Sequence, residues 1–131
     1  MKISTKGRYA LRLMLDLAMN NPEEYIALKD IATRQEISIK YLEKIIAILN
    51  KAGYVKSSRG NAGGYKLARK PDEYKVGDIL RTAEGDLAPT TCVQEGCHKQ
   101  DSCLTYSFWQ GLDNAIENYV DSKTLEDLIK K

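Results

Sequence analysis

Apolar residues recur along this chain at helical spacing in most stretches and at strand spacing in one. Ala10, Leu13, Met14 and Leu17 mark a first helix. Ser4 or Thr5 can cap it, and it should stop near Asn20-Asn21-Pro22, because proline disfavours helical geometry in the residue before it. Leu28, Ile31 and Ala32 predict a short second helix ending near Gln35. Leu42, Ile45, Ile46 and Leu49 follow at i, i+3, i+4 and i+7, the clearest stripe in the chain. Ser38 is placed as its N-cap and Gly53 as the residue just past its end. The period then changes. Tyr54-Val55-Lys56 and Tyr65-Lys66-Leu67 read as strands on either side of the turn-rich stretch Ser57–Gly64, which makes a hairpin closed by Pro71.

Val76, Ile79, Leu80 and Ala83 predict a fourth helix that stops at Gly85. The segment 90–103 has no periodicity. Leu104, Phe108, Leu112, Ile116 and Tyr119 then predict a long helix over Leu104–Val120, about 25 Å in length. Thr124-Leu125-Glu126-Asp127 resembles a capping box opening a last short helix. The fold class expected is mainly α with a small β-hairpin wing: a winged helix-turn-helix plus a long helix whose apolar stripe a dimer would bury. Helix, short turn, helix and hairpin is the order of a DNA-reading unit, so residues 1–75 would form the DNA-binding domain and 76–131 a helical region with a cysteine loop at 90–103, to which the resemblance given below adds dimerisation.

Composition narrows the class. The 131 residues are 43% hydrophobic and 29% charged, as expected of one globular domain. No apolar run approaches the roughly 18 residues that span a bilayer, and no cleavable leader is legible, so the expectation is a cytoplasmic protein without a membrane partner. The net charge of +2 conceals an asymmetry, +7 over residues 1–75 and −5 over 76–131. Between Lys40 and Lys70 stand eight basic residues and one acid, Glu43, an electrostatic footprint for a polyanion. A major groove about 12 Å wide admits one helix, whose N-terminal part meets the base edges. Ser38, Lys40, Tyr41, Glu43 and Lys44 are therefore the candidate DNA-binding residues of the third helix, with Lys56, Arg59 and Gly60 in the wing. Arg59 on a thin loop suits the narrow, negative minor groove. Glu43 can accept only from cytosine and otherwise repels phosphate, so it would set selectivity rather than add affinity. Gly60, Gly63 and Gly64 are not followed by the Lys-Ser/Thr of a nucleotide loop. One histidine, and no base near any serine, argue against an enzyme.

All three cysteines, Cys92, Cys97 and Cys103, fall within twelve residues, with the only histidine, His98, among them. In a reducing compartment such a cluster points to metal or redox chemistry rather than a disulfide framework. Four uses are open: a structural zinc site, which usually has closer cysteine pairs; a thiol redox switch; an inert loop; and a [2Fe–2S] cluster, which is held chiefly by thiolates and is the use the set favours. His98 is a candidate fourth ligand.

MKISTKGRYALRLMLDLA, ALKDIATRQEISIKYLEKIIAILNKAGYVKSSRGNAGGYKLAR and VGDILRTAEG together resemble the Rrf2 family of winged-helix transcriptional regulators. The likeness is greatest to the IscR-like branch, with similarity also to the NsrR and CymR branches. It covers nearly the whole chain, and the Arg-Gly-x-x-Gly-Gly-Tyr wing is its most specific motif. The resemblance implies a homodimer on a palindromic operator, with the long helix joining the subunits and the first helix touching DNA backbone. It also implies one [2Fe–2S] cluster per subunit on Cys92, Cys97 and Cys103. IscR-like proteins place a histidine three positions after the third cysteine; here that position is Tyr106, and the first two cysteines are one residue closer together. The expected function is a DNA-binding regulator, a repressor, that senses cluster status and controls iron–sulfur assembly genes. The alternatives are a thiol-redox or cysteine-metabolism regulator without a cluster and, in another class, an iron–sulfur or metal carrier. A carrier would not need the basic 40–70 segment.

Overall fold

The computed structural model describes residues 2–20, 23–60 and 63–130. In order these form α1 (Thr5–Met19), α2 (Leu28–Gln35), α3 (Ile39–Lys51), β1 (Val55–Ser58), β2 (Gly64–Leu67), a 3₁₀ turn at Pro71–Glu73, α4 (Val76–Glu84), α5 (Thr91–Glu95), α6 (Tyr106–Asp121) and α7 (Leu125–Ile129). The architecture is mainly helical with one antiparallel hairpin, as the periodicities predict.

α1 runs through the middle. Leu13, Met14 and Leu17 are fully buried and meet the α3 stripe of Leu42, Ile45, Ile46 and Leu49, with Ile31, Ile79 and Leu125 closing the core. Burying each such side chain stabilises the fold by about 1.5–3 kcal/mol. The caps follow the sequence. The Ser4 hydroxyl accepts the Lys6 N–H, and the Ser38 hydroxyl accepts the Tyr41 N–H. α3 ends in a Schellman motif: Gly53, at φ +80°, donates to the Asn50 carbonyl and Tyr54 to the Leu49 carbonyl, both at 3.0 Å. α1 stops at Met19, with Asn20 at its C-cap. Asn21 and Pro22, also invoked for that stop, lie outside the described residues.

The hairpin pairs Val55 with Leu67, Lys56 with Lys66, Ser57 with Tyr65 and Ser58 with Gly64. Val55 and Leu67 face the core. A bridge that periodicity could not reveal pins the wing's second strand to the body. The Ile26 N–H donates to the Tyr65 carbonyl at 2.8 Å, and the Tyr65 N–H donates back to the Ile26 carbonyl at 2.9 Å. Asn61 and Ala62 at the wing tip lie outside the described residues.

The chain end folds back. Leu125 is fully buried and its N–H donates to the Tyr74 carbonyl at 3.1 Å. The predicted capping box forms, with Thr124 and Asp127 each accepting the other's backbone N–H.

Two local expectations are corrected. The segment 90–103 is not devoid of regular structure, since α5 forms within it. The Thr90 hydroxyl accepts the Val93 N–H and Gly96, at φ +84°, ends the turn. Five residues are too few to leave a periodic signature. The long helix begins at Tyr106 rather than Leu104 and runs one residue further, to Asp121. The Ser102 and Cys103 N–H groups both donate to the Lys99 carbonyl, which turns the chain before α6 and leaves Leu104 95% exposed. Its helical spacing to Phe108 is coincidental. Among the described residues no helix is long and apolar enough to cross a membrane.

Candidate nucleic-acid interface and cysteine segment

The buried stripe of α3 fixes what the helix presents. Lys40, Glu43 and Lys44 are exposed on the opposite side. Ser38 is exposed too, with its hydroxyl oxygen engaged by the Tyr41 N–H at 3.1 Å and its proton free to donate. Tyr41 is half-buried and stands edge-on to Tyr9 of α1, with ring centres 5.5 Å apart. It both supports α3 and borders the exposed face.

Two cations flank that aromatic pair. The Arg8 and Arg12 guanidiniums lie 5.8 and 5.2 Å from the Tyr9 ring centre. Arg12 also donates to the Gln35 side chain at 3.1 Å and to the Gln35 carbonyl, at the turn leading toward α3. Neither arginine was singled out as a site residue by the sequence reading. The signal was present, as cations four apart on the exposed side of a helix whose other side is core. Arg34 is committed elsewhere. It forms a two-pronged pair with Asp16, at 2.7 and 3.1 Å, and that hydrogen-bonded partner raises its pKa further. Asp16, 2% exposed, also accepts from the Gln35 side chain at 2.9 Å.

In the wing, Lys56, Arg59 and Gly60 are all exposed. Each glycine of the motif has its own reason. Gly60 sits at φ +101°, a conformation that disfavours side chains. A methyl on Gly63 would meet the Ser58 carbonyl across the turn. A methyl on Gly64 would press on the Ile26 carbonyl, where the bridge forms.

α4 connects this surface to the rest of the chain. One oxygen of Glu84 accepts the Ser4 N–H at 2.7 Å, the Ser4 hydroxyl at 2.6 Å and the Gly7 N–H at 3.0 Å. A carboxylate there also suits the positive end of the α1 dipole. Gly7 is required because a side chain would displace Glu84. One turn away, Arg81 binds Asp78 at 3.1 Å on its own helix and, on α6, Glu117 at 3.0 Å and Asp121 at 2.8 Å. Gly77 lets α6 come this close, since a methyl there would strike Asp121 and Val120.

α6 itself has no buried residue, and Phe108 and Tyr119 are 65% and 67% exposed. Beside it, Ile3, Leu80, Leu87, Ile116 and Val120 line an apolar groove. One carboxylate oxygen of Asp113 is shielded without a partner, and burial, with Glu117 and Asp86 nearby, raises its pKa.

Within the cysteine segment, α5 packs on α6. Cys92 lies in α5, half-buried, its sulfur 3.1 Å from the Thr90 hydroxyl. Cys97 is half-buried and accepts the Lys99 N–H at 3.4 Å. Cys103 is exposed, its sulfur 3.3 Å from the Thr105 hydroxyl, and that hydrogen bond is the main cause of a lowered thiol pKa. His98, inside the segment beside Cys97, is exposed, and Tyr106, just after it, is half-buried. Among the described residues no three His, Cys, Asp or Glu side chains are gathered closely enough to hold a metal. The donor chemistry suits three of the four positions of an iron–sulfur site. Among the described residues each sulfur's hydrogen-bond partner lies two residues away along the chain.

Comparison with known proteins adds to this geometry. The family profile of Rrf2, described as an iron-dependent transcriptional regulator, matches residues 3–131. The HTH-type transcriptional regulator IscR of Aliivibrio salmonicida is 42% identical over 98% of this chain and 77% of its own length. The solved structure of CymR, the global cysteine regulator of B. subtilis, superposes with a TM-score of 0.83 at 41% identity, covering 98% of this chain and 95% of that one. IscR of T. potens superposes with a TM-score of 0.80 at 45% identity, covering 99% and 87%.

Proposed function

The chain belongs to the Rrf2 family of transcriptional regulators, and from that premise we propose that it is a dimeric repressor whose hold on DNA depends on a [2Fe–2S] cluster. Cys92, Cys97 and Cys103 would hold the cluster, which when bound supplies a sensitivity to iron and oxidants that the thiols alone lack. Iron–sulfur assembly genes are the targets this implies, and the cytoplasm is the compartment. Residues 1–75 read a palindromic operator, with Ser38, Lys40, Tyr41, Glu43 and Lys44 in the major groove and Lys56, Arg59 and Gly60 at the wing. Residues 76–131 join the subunits through α6, whose exposed apolar face a second copy would cover.

The observation that carries this reading is the continuity from cysteines to recognition helix. Within the segment that holds the thiols, α5 packs on α6. α6 is tied by Arg81 to α4, α4 by Glu84 to the start of α1, and α1 by Tyr9 to Tyr41. A rearrangement at residues 92–103 can therefore bias the spacing of two recognition helices. It does so only as far as the two arrangements differ in affinity for what is bound.

The test is anaerobic purification followed by absorption spectra and iron and sulfide assays, repeated for each Cys→Ala variant, His98→Ala and Tyr106→Phe. We expect a coloured protein with iron and acid-labile sulfide, lost with any of the three cysteines. A colourless, iron-free protein would overturn the cluster.

One observation favours a second reading, a thiol-based regulator without a cluster. Cys103 is exposed, and its Thr105 hydrogen bond shifts it toward the reactive thiolate. Loss of operator binding on mild oxidation of iron-free protein, reversed by a thiol reductant, would select it.

A further inference from the structure

The outer face of the hairpin carries cations that no acid neutralises. Lys56 and Lys66 are cross-strand neighbours. Like charges directly opposite one another on a ladder destabilise it. Neither lysine, nor Arg69, nor Lys70 forms a salt bridge among the described residues.

Two of these cations are held rather than loose. The Lys66 ammonium stands 4.7 Å from the Tyr25 ring centre. The Arg69 guanidinium lies 5.3 Å from the Tyr54 ring centre and 5.2 Å from that of Tyr74. Tyr74 is fixed in turn. Its hydroxyl donates to the Tyr54 carbonyl at 2.7 Å and accepts the Ala68 and Arg69 N–H groups, both at 3.0 Å. Side chains already ordered against aromatic rings have less freedom to lose when an anion arrives. All four cations line one groove, where Glu23 and Glu73 are the only acids, so the groove is net positive.

We propose that this groove seats backbone phosphates of duplex DNA outside the bases read by α3 and the wing tip. The inference rests on the DNA-reading function proposed above and extends it to a sequence-independent contact. Continuity favours DNA over an acidic protein segment. Lys56 on β1 is three residues before Arg59, which follows the strand's end, about 10 Å away at the rise of extended chain, so a wing engaged in the minor groove brings its outer face to the flanking backbone. The phosphates would also relieve the repulsion between Lys56 and Lys66.

The test compares the wild type with the double variant K66Q/K70Q, which leaves the residues assigned to α3 and the wing in place and whose urea midpoint should be no lower, since the Lys56–Lys66 repulsion is removed. The probe is a duplex selected by the wild type from a random library, either trimmed to its protected core or extended by about one helical turn, about 10 base pairs, on each side. Affinity is measured between 50 and 200 mM salt. Two lost phosphate contacts should flatten the slope of log K on log salt by about 1.8 on the extended duplex, about a twelvefold smaller loss across that range. The preference for the selected over a random sequence should not change, and the trimmed duplex should show little difference between the proteins. Identical slopes on the extended duplex would overturn the groove, whether or not the variant had lost binding to an acidic polypeptide. A wild type with no preference for any duplex would instead overturn the DNA-reading function itself.

Discussion

Gly64→Ala isolates a purely steric requirement. Its φ is not in the left-handed region, so alanine brings no dihedral penalty. What it brings is a methyl 2.8 Å from the Ala27 nitrogen and closer still to the Ile26 carbonyl, all of it backbone that cannot swing aside. The two bonds of the Ile26–Tyr65 bridge must open, and each contributes about 1 kcal/mol net. If one of the freed groups remains shielded from water, that adds about 1–3 kcal/mol, so a loss of about 2–5 kcal/mol is expected. Urea denaturation at fixed protein concentration measures it. With a slope of about 2 kcal/mol/M the midpoint should fall by about 1–2.5 M, with the slope itself unchanged. Gly53→Ala is the counterpart. No atom lies within 4 Å of its added carbon, but its φ of +80° places it where a side chain costs about 1–2 kcal/mol. The two variants also differ in readout. Gly64→Ala should weaken operator binding beyond its effect on stability, because the bridge positions the strand behind Arg59, and Gly53→Ala should not. A Gly64→Ala midpoint equal to that of the wild type would refute the steric account.

Arg59→Ala should weaken operator binding by about 1–3 kcal/mol in a gel-shift titration, and an unchanged affinity would remove Arg59 from the contact. Tyr74→Phe removes three hydrogen bonds and strands the Arg69 N–H, while the Ala68 N–H and the Tyr54 carbonyl keep each other at 3.3 Å, and it should cost about 2 kcal/mol in urea denaturation. Burial raises the Tyr74 pKa, so its contribution is complete below the ordinary phenol pKa of about 10 and is lost as pH rises beyond it. The wild type should therefore converge on the phenylalanine variant in strongly alkaline urea titrations, and parallel pH profiles would count against that. In iron-free protein, alkylation followed by mass spectrometry should label Cys103 first, with a pH midpoint below that of an ordinary thiol. Equal labelling of Cys92 and Cys103 would remove the Thr105 hydrogen bond as a cause.

The fold was legible where one spacing carried one signal. The stripe Leu42-Ile45-Ile46-Leu49 is buried as a unit, and Ser38, Gly53 and Thr124 cap the elements they were expected to cap. It was illegible where contacts are long-range. Nothing local in Ile26 announces a partner at Tyr65, and nothing in Glu84 announces three donors around Ser4, eighty residues earlier. Leu104 misled because spacing alone cannot distinguish a helix from the turn before it. The exposed residues of α3 and the wing were nameable because burial of one face dictates the other. Arg8 and Arg12 were passed over because their place beside α3 depends on how α1 packs.

The two oppositely charged anchors of α4, Arg81 and Glu84, have a consequence for protein engineering. Regulators of this shape invite exchange of parts, with the sensing half of one joined to the reading half of another at residue 75. The proposed division between 1–75 and 76–131 would be one of task. Ile79 and Ala83 belong to the same core as α1 and α3, and Glu84 closes the first turn of α1. A hybrid spliced before α4 would inherit a foreign partner for Ser4 and Gly7. One spliced after Gly85 would keep α4 with α1 and leave two things to be rebuilt, the contacts of Arg81 with two carboxylates of α6 and the return of the chain end, where Leu125 enters the core and bonds to Tyr74.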